Sequence, residues 1–232
     1  MALPKISQSK TGVTLPSGKK LRIRPFIGSE EKAFLMAKQS NVKEDKINIA
    51  IDVLGACSDT DVRDLTMTDF EYLFMKAYEI SVSQTIEVGL RCQNSECATP
   101  MDVSIPLNKI KVPNVDKKSE DIDVGKDEDG KNVRLIIRTP TVGESLNLTE
   151  SDDPDVALFW GCLDGIYIED EKCEIDSYEE FAEWFMAQKD LYRKCMAFVN
   201  GIPRVEFERK WKCLECKHEN ETVIKGFESF FS

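Results

Sequence analysis

With 232 residues, 41% of them hydrophobic, the chain can build a sizeable core as one large or two small domains. Its formal net charge of −11 argues against nucleic acid as the default partner, because phosphate binding needs a basic face, and no run of about eighteen apolar residues offers a membrane span. Met1 to Lys10 lack the apolar centre of a signal peptide, so the eight cysteines are expected in a reducing compartment, as ligands or buried thiols rather than disulfides.

The first stretch, residues 1–14, is polar and reads as an extended N-terminal arm. Pro16-Ser17-Gly18 predicts a turn, and Lys20-Leu21-Arg22-Ile23-Arg24 alternates like a strand with Leu21 and Ile23 on one face. A helix is expected from an N-cap at Ser29 to about Ser40, and a second from Ile47, Ala50, Ile51 and Leu54, ending near Gly55 to Ser58. Thr68 and Glu71 have capping-box spacing and open a third helix through Leu73, Phe74 and Ala77. Strands at 85–90 and 101–105 flank a first cysteine pair. Residues 108–131 form a polar, acidic linker or hairpin that ends in the turn Asp127-Glu128-Asp129-Gly130. Residues 133–138 predict a strongly apolar strand, and 142–148 and 155–163 short helices. Ser177 and Glu180 repeat the capping box before Phe181, Trp184 and Phe185, and a helix over 189–199 is stopped by Gly201 and Pro203. Strands at 205–211 and 221–225 surround the second cysteine pair.

Four landmarks recur in the same order, which points to a diverged internal duplication. Leu21-Arg22-Ile23-Arg24-Pro25 parallels Leu135-Ile136-Ile137-Arg138-Thr139-Pro140, and Val53-Leu54-Gly55-Ala56-Cys57 parallels Phe159-Trp160-Gly161-Cys162. The two capping boxes correspond, and each half then runs through a strand into a cysteine knuckle. Chance echoes within a small α+β protein are the plain alternative. The expected fold is α+β: a first repeat over residues 15–107, a second over 132–232, and a split zinc-ribbon-like site of four cysteines joining them.

Cys213-Leu214-Glu215-Cys216 has the two-residue gap of a zinc knuckle, and Cys92-Gln93-Asn94-Ser95-Glu96-Cys97 a four-residue gap still within the knuckle range. Each pair sits at the tip of a predicted hairpin, the zinc-ribbon arrangement, although about 115 residues intervene. Four protein thiolates would leave no open coordination position, which makes the expected single zinc per chain structural. A redox motif would want a helix after the first cysteine of the CxxC, where Trp211 and Val223 suggest strands; disulfides or idle thiols are the bland alternatives. His218, the sole histidine, is expected outside the ligand set, and Cys57 and Cys162 as small buried residues at helix ends.

Enzymatic motifs are not found. A histidine-dependent mechanism would have to use His218 inside the knuckle, and there is no glycine-rich nucleotide loop. A calcium loop around Gly130 fails because Gly125 and Ile136 fall at ligand positions. Acidic pairs such as Asp152/Asp153 and Glu179/Glu180 suit helix N-termini. Lys19, Lys20, Arg22 and Arg24 make a basic patch, read either as a solvated strand face or as an electrostatic dock for an acidic partner. Phe227, Phe230 and Phe231 either pin the C-terminus to the core or anchor it in a partner.

Met1-Ala2-Leu3-Pro4-Lys5, the block Pro16-Ser17-Gly18-Lys19-Lys20-Leu21-Arg22-Ile23-Arg24-Pro25-Phe26, the acidic helix start at Glu30-Glu31-Lys32 and the two knuckles together resemble the baseplate protein family of T4-like tailed bacteriophages, described as baseplate hub or hub-assembly proteins. The resemblance implies a structural or assembly component of the tail, without enzymatic activity. Its partners would be other tail and baseplate proteins, met in the host cytoplasm during assembly or in the virion baseplate, with no small-molecule substrate, nucleic acid or membrane. The competing expectation is a cytosolic zinc-ribbon adaptor that binds nucleic acid or a transcription or translation complex.

Overall fold

A computed structural model describes residues 8–39, 43–146 and 153–230. The described residues fall into two compact units, one within Met1–Val62, Thr68–Pro113 and Arg204–Ser232, the other within Arg63–Met67 and Asn114–Pro203. The architecture mixes helices with small antiparallel sheets, in keeping with the α+β expectation.

In the first unit, β1 (Thr11–Thr14) pairs with β2 (Lys20–Ile23), so the last four residues of the expected arm are a strand; residues 1–7 lie outside the described residues. Gly18, at φ +90°, lets the Pro16-Ser17-Gly18 turn close between them. Leu21 and Ile23 are buried while Lys20 and Arg22 are exposed, as the alternation requires. Helix α1 (Gly28–Gln39) begins one residue before the predicted cap at Ser29. The reason is Glu30, whose carboxylate turns back to accept from the Ile27 N–H at 2.9 Å and so satisfies an orphan donor of the first turn. Helix α2 (Lys43–Cys57) buries Ala50, Ile51, Leu54 and Cys57, and α3 (Met67–Ser81) buries Phe70, Leu73, Phe74 and Ala77. Phe34 of α1 packs on Phe74 with ring centroids 5.1 Å apart and meets Tyr78 edge-on. The hairpin of β3 (Thr85–Arg91) and β4 (Pro100–Pro106) buries Ile86, Val88, Val103 and Ile105.

The second unit opens with a strand where sequence predicted a linker or hairpin. β5 (Ser119–Lys126) pairs with β6 (Asn132–Arg138), because Ile122 turns inward while its acidic neighbours face outward. After α4 (Val142–Leu146) and α5 (Pro154–Cys162), the chain forms β7 (Leu163–Ile168) and β8 (Glu171–Lys172), a pair that the sequence reading did not anticipate. The predicted extension of α4 to residue 148 lies outside the described residues. Strand order is β5-β6-β7-β8. Asp153 caps α5, and Ser177 caps α6 (Tyr178–Met186) by accepting from the Glu180 N–H, half of the predicted box, while the Glu180 carboxylate accepts from the Asp176 N–H; Thr68 of the first predicted box lies inside α3, which starts at Met67. With α7 (Leu191–Asn200), these elements enclose Leu135, Ile137, Phe159, Phe181, Phe185 and Phe198. Truncating such a phenylalanine to alanine costs about 3–5 kcal/mol.

The chain then returns to the first unit as the hairpin β9 (Glu206–Lys212) and β10 (Glu219–Lys225), followed by α8 (Phe227–Phe230). Buried Glu71 of α3 receives it: the carboxylate accepts from Arg204 Nη2 at 2.5 Å, from Arg204 Nε at 3.0 Å and from the Val205 N–H at 3.1 Å. Gly226 lies against that guanidinium at φ +78°, where a β-carbon would come within 2.5 Å of Arg204. The Lys111–Glu206 bridge adds a backbone link.

Candidate metal centre

The two hairpins end in similar turns. In the first, the Cys92 N–H donates to the Thr99 carbonyl at 3.0 Å; in the second, the Cys213 N–H donates to the His218 carbonyl at 2.9 Å. The residue after the second cysteine is left-handed in both, Ala98 at φ 46° and Lys217 at φ 64°. Neither is glycine, so each turn holds a conformation that costs an L-residue energy, as binding loops often do. The first turn accommodates its two extra residues through Asn94, whose carbonyl accepts from the Cys97 and Ala98 N–H groups and whose Oδ1 accepts from the Glu96 N–H.

Both tips lie in the first unit, and the structure brings Cys92, Cys97, Cys213 and Cys216 together with all four Sγ atoms within 4.8 Å of one another. Cys92 and Cys216 are 3.6 Å apart, and Cys97 and Cys213 3.8 Å. Thiolates arranged tetrahedrally about an ion at about 2.3 Å would be about 3.8 Å apart, so the cage has the right size. All eight cysteines are free thiols. Trp211, Leu90 and Met101 pack around Cys92, Cys97 and Cys213, leaving Cys216 as the exposed corner.

The four sulfurs are not electrostatically equal. The Thr99 hydroxyl, 3.0 Å from Cys97 Sγ, and the Thr99 backbone draw that thiol down to about 6. At Cys216 a backbone hydrogen bond from His218 pulls the same way, but desolvation and the other three sulfurs outweigh it and push the thiol up to about 11. The Thr99 contact therefore favours the ionised form of the Cys97 sulfur, the form in which a cysteine ligates metal. The cluster can hold a metal ion, and four protein sulfurs leave no place on it for substrate.

The remaining predicted residues fall in separate places. The side chain of His218 is exposed, and the metal-sized cluster does not include it. Cys57 and Cys162 close α2 and α5 fully buried, and desolvation pushes their thiols up to about 11 and about 12. Lys19, Lys20 and Arg22 are exposed on the β1–β2 hairpin, but Arg24 is not part of that face. Its guanidinium forms a two-pronged pair with Glu30, at 2.7 and 2.8 Å, and reaches the Ala56 carbonyl. Phe230 is buried in the core; the Phe227 side chain and Phe231 lie outside the described residues.

Sequence reasoning missed Gln93 and Asn220, which link the knuckles, and the role of Glu71 with Arg204. It also missed a signal that was available. Arg24 and Glu30 stand six residues apart, as do Arg138 and Glu144, and the second pair is also two-pronged, at 2.7 and 2.9 Å.

The chain matches the family described as T4 bacteriophage base plate protein over residues 8–232. It belongs to that family. No curated protein and no solved structure matches the chain. Membership supports a baseplate component of a T4-like phage, and the family implies other phage structural proteins as partners and points to the virion tail. A structural baseplate family points away from catalysis and does not favour the nucleic-acid adaptor. Among the described residues no helix is long and apolar enough to cross a membrane.

Proposed function

We propose that this baseplate protein is a hub or hub-assembly component that works through protein–protein contacts, with one structural zinc ion held by Cys92, Cys97, Cys213 and Cys216. The observation that carries the reading is the family match across residues 8–232. The cage supports the zinc assignment, since four thiolates at tetrahedral spacing suit zinc and exclude hard cations such as magnesium. When bound, zinc would supply binding free energy that becomes folding free energy.

The internal duplication, with repeats over 15–107 and 132–232, belongs to the same reading. It draws support from the matched Arg–Glu pairs, from the two cysteines closing α2 and α5, and from the similar knuckle turns. The second knuckle then packs with elements of the first repeat, which makes the zinc ligands a joint product of both.

Charge gives the contact surfaces a direction. The second unit carries 23 acidic and 11 basic side chains, net −12, against 19 acidic and 20 basic in the first, net +1. Lys19, Lys20 and Arg22 are the basic contact residues on the first unit, suited to an acidic partner surface. Metal analysis of purified protein tests the zinc: about one zinc per chain is expected, lost on Cys92→Ser with Cys213→Ser, and a folded metal-free protein overturns it. Affinity capture from infected cells tests the role, with tail proteins recovered by the wild type and fewer by a Lys19, Lys20 and Arg22 triple-alanine variant. Stoichiometric presence in purified virions would mark a hub part, and absence an assembly factor.

A further inference from the structure

The knuckles are joined by more than sulfur. The Gln93 N–H, next to Cys92, donates to Asn220 Oδ1 at 2.7 Å. Asn220 Nδ2 donates to the His218 carbonyl at 3.0 Å, the same carbonyl that closes the second knuckle by accepting from the Cys213 N–H. The Gln93 side chain meets β10 as a neighbouring strand would: Nε2 donates to the Glu221 carbonyl at 2.9 Å, and Oε1 accepts from the Glu221 N–H at 3.3 Å. Asn220 is only 2% exposed and is paired across the hairpin with Trp211, which packs on Cys92 and Cys213.

An amide buried this deeply is costly unless its polar atoms are satisfied, and here both ends are used. Its partners lie on the two chain segments that carry the ligands, and Gln93 is 127 residues from Asn220 in sequence. The network is built from amides and carbonyls alone, none of which gains or loses a proton when the sulfurs do. Two knuckles joined only by metal would have to be ordered when the ion arrives; knuckles joined beforehand need no such ordering, and the ion binds more tightly.

We propose that Asn220 and Gln93 are positioning residues that assemble the four-cysteine cage before the metal arrives. This rests on the metal reading above. Without metal, the two hairpins remain docked as one head, and the ion completes a cage that is already formed.

The test uses the full chain as wild type, Asn220→Ala and Gln93→Ala. Gln93 is exposed, so its variant keeps the question open even if Asn220→Ala fails to fold. Zinc affinity is measured by competition with a chromophoric chelator, the ligand set by the cobalt(II)–thiolate absorption, and docking by amide hydrogen exchange of the chelator-treated wild type. The proposal expects zinc to bind about 10–100-fold more weakly in the variants with the four-thiolate cobalt spectrum retained. It also expects the Gln93 and Glu221 amides to be protected in the metal-free wild type. Unchanged affinity in Gln93→Ala, or those two amides exchanging like unstructured chain without metal, overturns it while leaving the zinc site standing. A wild type that binds neither zinc nor cobalt overturns both.

Discussion

The Arg24–Glu30 and Arg138–Glu144 pairs are wired alike and sheltered differently. In each, an arginine at the end of a strand or just past it grips a glutamate six residues on, and that glutamate accepts from the N–H three residues before it, Ile27 at 2.9 Å and Thr141 at 2.8 Å. The side chains of the first pair are 21% and 11% exposed, those of the second 35% and 37%. Arg24 also caps the end of α2 through the Ala56 carbonyl at 2.8 Å, whereas Arg138 reaches the Thr139 carbonyl at 3.4 Å and approaches Asp164 at 4.0 Å. The same device is therefore a packed joint in one unit and a solvated brace in the other. The following glutamates diverge further: Glu71 is fully buried against Arg204, while Glu180 is exposed and accepts from the Asp176 N–H at its helix start.

Breaking the buried member should have the largest effect. Arg204→Ala removes the charge partner of the buried Glu71 carboxylate, which keeps the Val205 N–H, and should cost about 3–5 kcal/mol in urea unfolding, with lost protection in β9 and β10 by hydrogen exchange. Glu180→Gln should cost under about 1 kcal/mol by the same measurement. A similar loss from both would erase the distinction between clasp and cap.

The Arg–Glu pairs come next. Glu30→Gln should destabilise by about 1–2 kcal/mol, because its two-pronged charged hydrogen bonds are largely shielded from water. Glu144→Gln should cost about 0.5–1 kcal/mol once screening at its exposure is counted. The reverse order would mean that burial does not set the difference.

Acid titration gives the smallest and sharpest contrast. Arg138, and then the Thr141 backbone and hydroxyl against a desolvation penalty, hold the Glu144 carboxyl down at about 2 from an ordinary 4.5. A depressed carboxyl stabilises the fold above its unfolded value, so this contribution is whole above pH 4.5 and fades as pH falls toward 2. Arg24 lowers the Glu30 carboxyl as well, opposed by burial. Carboxyl chemical shifts followed by NMR should show Glu144 titrating near pH 2; a midpoint near 4.5 would dissolve the brace.

Local pattern made much of this legible. Period-two alternation in 20–23, the helical spacing of Ala50, Ile51 and Leu54, and the cap at Ser177 each depend on neighbours within a few residues, and each appears in place. The strand at 119–126 was hidden because a single inward residue, Ile122, interrupts an acidic run, and β8 is too short to carry a period. The cysteine spacings announced two knuckles because a knuckle is a local turn.

What the sequence alone determined was thus the parts: two hairpin tips with ligand spacing, capped helices, and a net charge of −11. Only tertiary structure decided which parts meet. The second knuckle joins the first unit because buried Glu71 takes Arg204, Lys111 pairs with Glu206 and Asn220 takes the Gln93 N–H, contacts that span 95 to 133 residues. Such pairings leave no periodic trace in a chain, since each depends on burial and on a partner that arrives only when the whole fold closes.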